Sequence, residues 1–199
     1  MKKGLLILNV LVFSCLSIFG AIKLNEPAPP FTAINNKGEK VSLADYKGKI
    51  VVLEWTNHGC PFVKKFYKGG AMQRFQKQHT KKGDVWLSIV SSAPGKQGQL
   101  SEKESQTIVK KQSSHATDVL LDPSGIIGSL YDAKTTPHIF VIDEEGVLRY
   151  QGAIDSIRSA NPKDIKKATN YITQAVKSIR QNKAVEIAQT RPYGCAIKY

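Results

Sequence analysis

The order of hydrophobic segments along this chain predicts an α/β fold, a central mixed β-sheet with helices on both faces. Two runs carry that reading: "IVVLEW" from Ile50 to Trp55 and "DVWLSIVSS" from Asp84 to Ser92 are nearly continuous and rich in branched residues. A strand covered on both faces needs no polar alternation, so such runs belong in the middle of a sheet. The third observation lies between them. Apolar residues recur there at helical spacing through Phe62, Val63, Phe66, Tyr67, Met72 and Phe75.

The remaining elements follow in order. The prolines after Asn25 favour an extended entry, and two short alternating runs around "NNKG" predict an N-terminal hairpin. The helix after Trp55 should reach about His79, with a kink or break at Gly69-Gly70. Glycine-rich "APGKQGQ" then leads to "SEKESQTIVKKQ", where Ser101 and Glu104 stand at capping-box spacing. Lys110 and Lys111 close that helix, at the end where its dipole favours cations. "DVLLD" predicts a short strand, and Pro123 opens a helical turn through "SGIIGSLYDA". "TTPHIFVIDEEGVLRYQGAI" reads as strand, turn, strand. The last helix is predicted as one element starting at Asn161 and Pro162, with Ile165, Ala168, Ile172, Ala175 and Ile179 on its buried face. A tail from about residue 181 carries "TRPYGCAIKY" to the end.

Composition narrows the class. The chain has 199 residues, 41% hydrophobic and 23% charged, enough for one domain with its own core. Its net charge is +13, yet the basic residues are scattered and do not alternate with aromatics, so no nucleic-acid partner is expected. Residues 1–21 differ from the rest. Lys2 and Lys3 precede an apolar stretch from Leu5 to Phe19, and Gly20 and Ala21 follow, the order of a cleaved secretory signal. "LVFSC" ending at Cys15 loosely fits a lipoprotein signal, and an uncleaved segment would act as an anchor, the one expected membrane contact. The expected domain is therefore 22–199, in a periplasmic or extracellular setting. Oligomeric state is left open.

Without that leader, two cysteines remain, Cys60 and Cys195. Export allows them to pair as a disulfide. Cys60 lies between Gly59 and Pro61 at a strand-to-helix turn, where unsatisfied backbone N–H groups and the helix dipole favour a thiolate. Such a turn argues for an accessible, reactive thiol rather than a packed one. Glu54 stands six residues earlier in an apolar strand, which is costly unless it has a partner or a task. Cys195, in a tail expected to be flexible, reads as a resolving thiol, a static staple or a free thiol. A tail of that length spans on the order of 45 Å when extended, so Cys60 is within its reach. His58 and His138 with both cysteines would suit copper(I) or zinc, but their spacing supports no compact site. No glycine loop precedes a basic-hydroxyl pair, and no metal or cofactor is expected.

Taken together, "VVLEWTNHGCPFV", the "DPSG…LYDAKTTPHIFVID" block and the closing hairpin resemble the thioredoxin/peroxiredoxin-like superfamily, the redoxins of AhpC/TSA type. The resemblance runs from about Asn25 to Arg180. Within it the chain is most similar to proteins with one active-site cysteine in a "GCPFVK" motif and a second cysteine near the end. It implies a thioredoxin-like fold and a thiol-dependent oxidoreductase with antioxidant or thiol–disulfide activity. Cys60 falls on the first position of Cys-x-x-Cys and Val63 on the second, so the usual resolving thiol is missing and Cys195 is its candidate replacement. Thr136 and Pro137 fall on the cis-proline segment that lies against the active cysteine and meets substrate, and Glu54 on a buried acid that moves protons near the thiol. The proline and threonine of the peroxiredoxin motif are replaced by Leu53 and Asn57, which weakens a peroxidase reading. The implied partners are a thiol or disulfide substrate, protein or small molecule, and an electron donor. A thiol peroxidase and a copper-binding carrier are the alternatives.

Overall fold

The structure, a computed structural model, describes residues 22–199, so the expected leader lies outside the described residues. Seven strands form the main sheet: β1 (Thr32–Asn35), β2 (Lys40–Ser42), β3 (Val51–Trp55), β4 (Val85–Val90), β5 (Asp118–Leu121), β7 (His138–Ile142) and β8 (Leu148–Gly152). Their spatial order is β2-β1-β5-β4-β3-β7-β8. β6 (Thr135–Thr136) and β9 (Cys195–Ala196) make a separate two-stranded ribbon. β3 pairs parallel with β4 and antiparallel with β7, which makes the sheet mixed.

The central position of β3 explains its composition. Val51, Leu53 and Trp55 enter one apolar layer with Leu87, Ile89, Tyr131 and Phe140. Ile50 and Val52 enter the opposite layer with Val63, Phe66, Met72, Trp86 and Ile172. Both faces exclude water, so the run is apolar at every position but Glu54. The second layer is covered by α1 (Pro61–Lys68), α2 (Ala71–Thr80) and α5 (Tyr171–Arg180). The first is covered by α4 (Ile126–Leu130) and the 3-10 turn Leu43–Tyr46.

The local signals act as their chemistry requires. α1 and α2 separate at Gly69-Gly70, where Gly70 adopts φ 68, a conformation open to glycine. α3 (Glu102–Gln112) starts with the Ser101–Glu104 capping box. β1 and β2 form the N-terminal hairpin, and β1 joins the sheet through β5.

Two expectations need correction. The last helix is not continuous: Pro162–Lys166 is a 3-10 turn, and α5 begins only at Tyr171. The chain leaves helical geometry because Asn170 bridges Asp155 and the Tyr171 N–H bonds to the Ile154 carbonyl at 3.0 Å. Asn170 then acts as a second cap, accepting from the Thr173 N–H at 2.9 Å. Periodicity could not register that restart, since Ile165 continues the apolar spacing across it. The tail, expected as a flexible arm, is instead packed along the domain. The Thr190 hydroxyl accepts from the Ala153 N–H at 2.9 Å and meets the Tyr150 hydroxyl at 2.6 Å, and Tyr193 is 3% exposed.

Phe140 sits at the middle of the first layer, with the Trp55 and Tyr131 rings at 5.1 and 5.4 Å. Phe140→Ala should lower unfolding free energy by about 3–5 kcal/mol. Urea denaturation measures it, and a loss below about 1 kcal/mol would contradict this packing.

Candidate active site

Cys60 caps α1, with Pro61 at the first helical position. The preceding loop is turned by Asn57, whose side-chain oxygen accepts from the Gly59 N–H at 2.8 Å and whose carbonyl accepts from the Cys60 N–H at 3.0 Å. The other Asn57 atom donates to the Gln97 carbonyl at 3.1 Å. Across the site the Thr136–Pro137 peptide is cis, and the Thr136 carbonyl lies 3.1 Å from Cys60 Sγ. Thr136 and Pro137 therefore lie on the strand segment against the thiol.

The accessibility expected of Cys60 is not found: it is 0% exposed. The C-terminal tail packs against the cluster that holds it, with Cys195 among the packed residues. β9 pairs antiparallel with β6, placing Cys195 opposite Thr136 and Ala196 opposite Thr135. The tail continues past the site, with the Ile197 N–H on the Lys134 carbonyl at 3.2 Å and the Ala93 N–H on the Lys198 carbonyl at 2.8 Å. It ends with the Tyr199 hydroxyl on the Ala133 carbonyl at 2.9 Å. Gly194 makes the close approach possible. It has φ 149, and a Cβ there would stand 2.0 Å from the Thr136 oxygen.

The two thiols meet in this arrangement and divide their protonation unequally. Burial pushes the Cys60 thiol up, but hydrogen bonds from the Cys195 thiol, the Val63 and Cys195 N–H groups and the Thr136 hydroxyl outweigh it. The net shift is below the ordinary thiol value. Cys195 moves the other way, pushed up to about 11 by burial and then by its hydrogen bond to Cys60. Val63 thus contributes a backbone donor where a Cys-x-x-Cys motif would contribute sulfur.

Glu54 is completely buried on the same face of the sheet as Cys60. Its carboxylate accepts from Trp86 Nε1 at 2.8 Å, Tyr67 Oη at 3.0 Å, Ser88 Oγ at 3.1 Å and Gln76 Nε2 at 3.4 Å. Burial raises its pKa, and these four donors only partly oppose that. Cys60 is not among its hydrogen-bond partners. His138 is buried, its Nδ1 accepts from the Lys134 N–H at 3.2 Å, and burial takes it down to about 3. Burial also lowers His58. Among the described residues no group of three or more His, Cys, Asp or Glu side chains is placed to hold a metal ion.

Two residues escaped the sequence reading. Lys65, only 1% exposed, donates to Asp155 Oδ2 at 2.8 Å and to Tyr193 Oη at 3.0 Å, and Tyr193 lies two positions before Cys195. A lysine beside another lysine on an amphipathic helix carries no signal of burial. Its partners are remote in the chain.

Gly194→Ala should lift the tail and raise the alkylation rate of Cys60 in the reduced protein by about tenfold or more, the scale of losing one well-placed contact. An unchanged rate would show that the tail does not shield the thiol. For Glu54, the raised folded value stabilises the fold below the ordinary carboxylate range, and that stability is lost as pH rises through the raised value. Urea midpoints should therefore fall with pH across that interval more steeply in wild type than in Glu54→Gln. Parallel profiles would refute the assignment.

Comparison with known proteins agrees with this geometry. The profile of the AhpC/TSA family matches residues 24–151. The thioredoxin-like protein YneN of Bacillus subtilis is 29% identical over 128 residues, covering 64% of this chain and 70% of its own. The crystal structure of an uncharacterized conserved protein from Geobacillus kaustophilus superposes with TM-score 0.75 at 24% identity, over 89% of this chain and 92% of that one. The exposed lipoprotein thioredoxin of Streptococcus pneumoniae gives TM-score 0.50 at 26% identity, over 70% and 96% of the two chains. The profile match, which spans more than half of the chain, places it in the AhpC/TSA family, as a thiol-dependent oxidoreductase of thioredoxin-like fold.

Proposed function

We propose that the protein is an exported thiol–disulfide oxidoreductase with Cys60 as nucleophile and Cys195 as resolving cysteine. The observation that carries this reading is the pairing of Cys195 opposite Thr136, which brings the second thiol into hydrogen-bonding reach of the first. Export rests on the leader-like order of residues 1–21, and the similar streptococcal protein is described as an exposed lipoprotein.

The chemistry follows from the unequal thiols. The Cys60 thiolate attacks one sulfur of a substrate disulfide; the new Cys60–substrate bond forms as the old bond breaks, and the leaving thiolate takes a proton. Cys195, once deprotonated, attacks Cys60 Sγ. That closes the Cys60–Cys195 bridge and releases the second substrate thiol. Two electrons have then moved from the protein to the substrate, and a dithiol donor restores the pair by the reverse exchange. Thr136 and Pro137 flank the reacting sulfur as the substrate-contacting segment. Glu54 enters as a buried acid tied to α1 through Tyr67 rather than to Cys60 directly.

Asn57 favours thiol exchange over peroxide reduction. Its amide is committed to the Gly59 N–H and the Gln97 carbonyl, and it offers no hydroxyl to a peroxide. Peptide mapping after mild oxidation should find an intramolecular Cys60–Cys195 disulfide. Cys195→Ser should instead accumulate intermolecular or over-oxidised Cys60. Two free thiols after oxidation would end this reading, and fast stopped-flow oxidation by peroxide would replace it with a peroxidase.

A further inference from the structure

Lys65 has no part in the exchange chemistry, yet its ammonium is fully buried. A buried charge is costly, and an ion pair alone often fails to offset that cost. What the pair holds is therefore informative. All three ammonium hydrogens find acceptors: Asp155 Oδ2 at 2.8 Å, the Ile157 carbonyl at 3.0 Å and Tyr193 Oη at 3.0 Å. The Tyr193 hydroxyl in turn donates to the other Asp155 oxygen. Its ring meets Phe62 edge-on with centroids 5.8 Å apart, and the Lys65 ammonium lies 5.4 Å from its centroid. One phenol thus joins α1, the segment after β8 and the tail.

The position of this contact along the chain gives it a task. Tyr193 is followed by Gly194, which lies directly on the Thr136 carbonyl, and then by Cys195. The two residue pairs of this strand contact are continued only by single backbone bonds at Ile197 and Lys198, all on the far side of Cys195, so its register needs an anchor on the near side. On the far side of Cys195, the Tyr199 anchor is half exposed. On the near side Tyr193 is buried at 3% exposure and fully hydrogen-bonded.

We propose that Tyr193, seated on the buried Lys65–Asp155 pair, is a positioning residue that docks the C-terminal strand in the register holding Cys195 at Cys60. It rests on the reading of these cysteines as a redox pair. Tyr193 takes no part in bond making. It raises the effective concentration of one thiol at the other by removing freedom from the tail before reaction.

Tyr193→Phe separates this role from general stability. It removes one oxygen, keeps the ring against Phe62, and leaves Lys65 with Asp155 and the Ile157 carbonyl. Equilibration of the full chain with glutathione buffers reads the effective concentration of Cys195 at Cys60. That quantity should fall about tenfold or more, the scale of losing a hydrogen bond to a charged partner. Alkylation of Cys60 in the reduced variant should accelerate by a similar factor. Circular dichroism melting reports the fold separately. An effective concentration and an alkylation rate both within about threefold of wild type overturn the proposal, even if the melting temperature drops. If Tyr193→Phe does not fold, Phe62→Leu, which removes the edge-on ring contact, should move both readouts the same way. If wild type forms no bridge, the redox-pair reading fails by itself, and the alkylation ratio still decides whether Tyr193 docks the tail.

Discussion

The antiparallel pairing of Cys195–Ala196 with Thr135–Thr136 sets the state of both thiols at once. It buries Cys60, brings the Cys195 thiol and N–H onto its sulfur, and places Cys195 where its own proton is harder to lose. A helix N-terminus alone would lower a thiol pKa, as the Val63 N–H does here. Burial opposes that gain, and the donors on the tail act with Val63 and Thr136 to outweigh it. The low pKa of Cys60 and its inaccessibility therefore have a common origin.

That pairing is short, and buried polar groups flank it on both sides. On one side stand Lys65 and Asp155. On the other, Trp55 of the central strand donates to Ser91 at 3.0 Å, and Ser91 donates to Asp122 at 2.6 Å. Asp122 also accepts from the Gly128 N–H at 2.9 Å, fixing the start of α4. Gly128 leaves room for Tyr199, since a Cβ there would stand 2.4 Å from the tyrosine oxygen. The tail is thus seated on groups that the sheet itself orients. Each buried carboxylate is satisfied by several donors, which is what makes its burial tolerable.

Ordering the tail in advance changes the cost of each step. Closing a Cys60–Cys195 bridge requires little further loss of chain freedom, because the strand that carries Cys195 is already in place. In the proposed exchange, admitting a polypeptide to Thr136 would be the costly step. The backbone groups beside Pro137 are taken by β9, so such a substrate must displace the chain's own strand. A small thiol or disulfide faces only the narrower task of reaching a sulfur beneath it.

The central strands, the break at Gly69-Gly70, the capped start of α3 and the placement of Cys60 at a helix start beside a Thr-Pro strand were all legible in the residue pattern. These are local matters: periodicity, turn chemistry and caps depend on neighbours within a few residues. The sequence also marked Glu54 as anomalous, since an acid in an apolar strand stands out without any structure. It could not reveal that the last helix restarts at Asn170, because the cause is a contact with Asp155. Nor could it reveal that Cys60 is covered, that Lys65 is buried, or that Tyr193 holds the tail. The last three depend on groups 66 to 128 positions apart in the chain, and only the closed tertiary structure brings them within hydrogen-bonding distance.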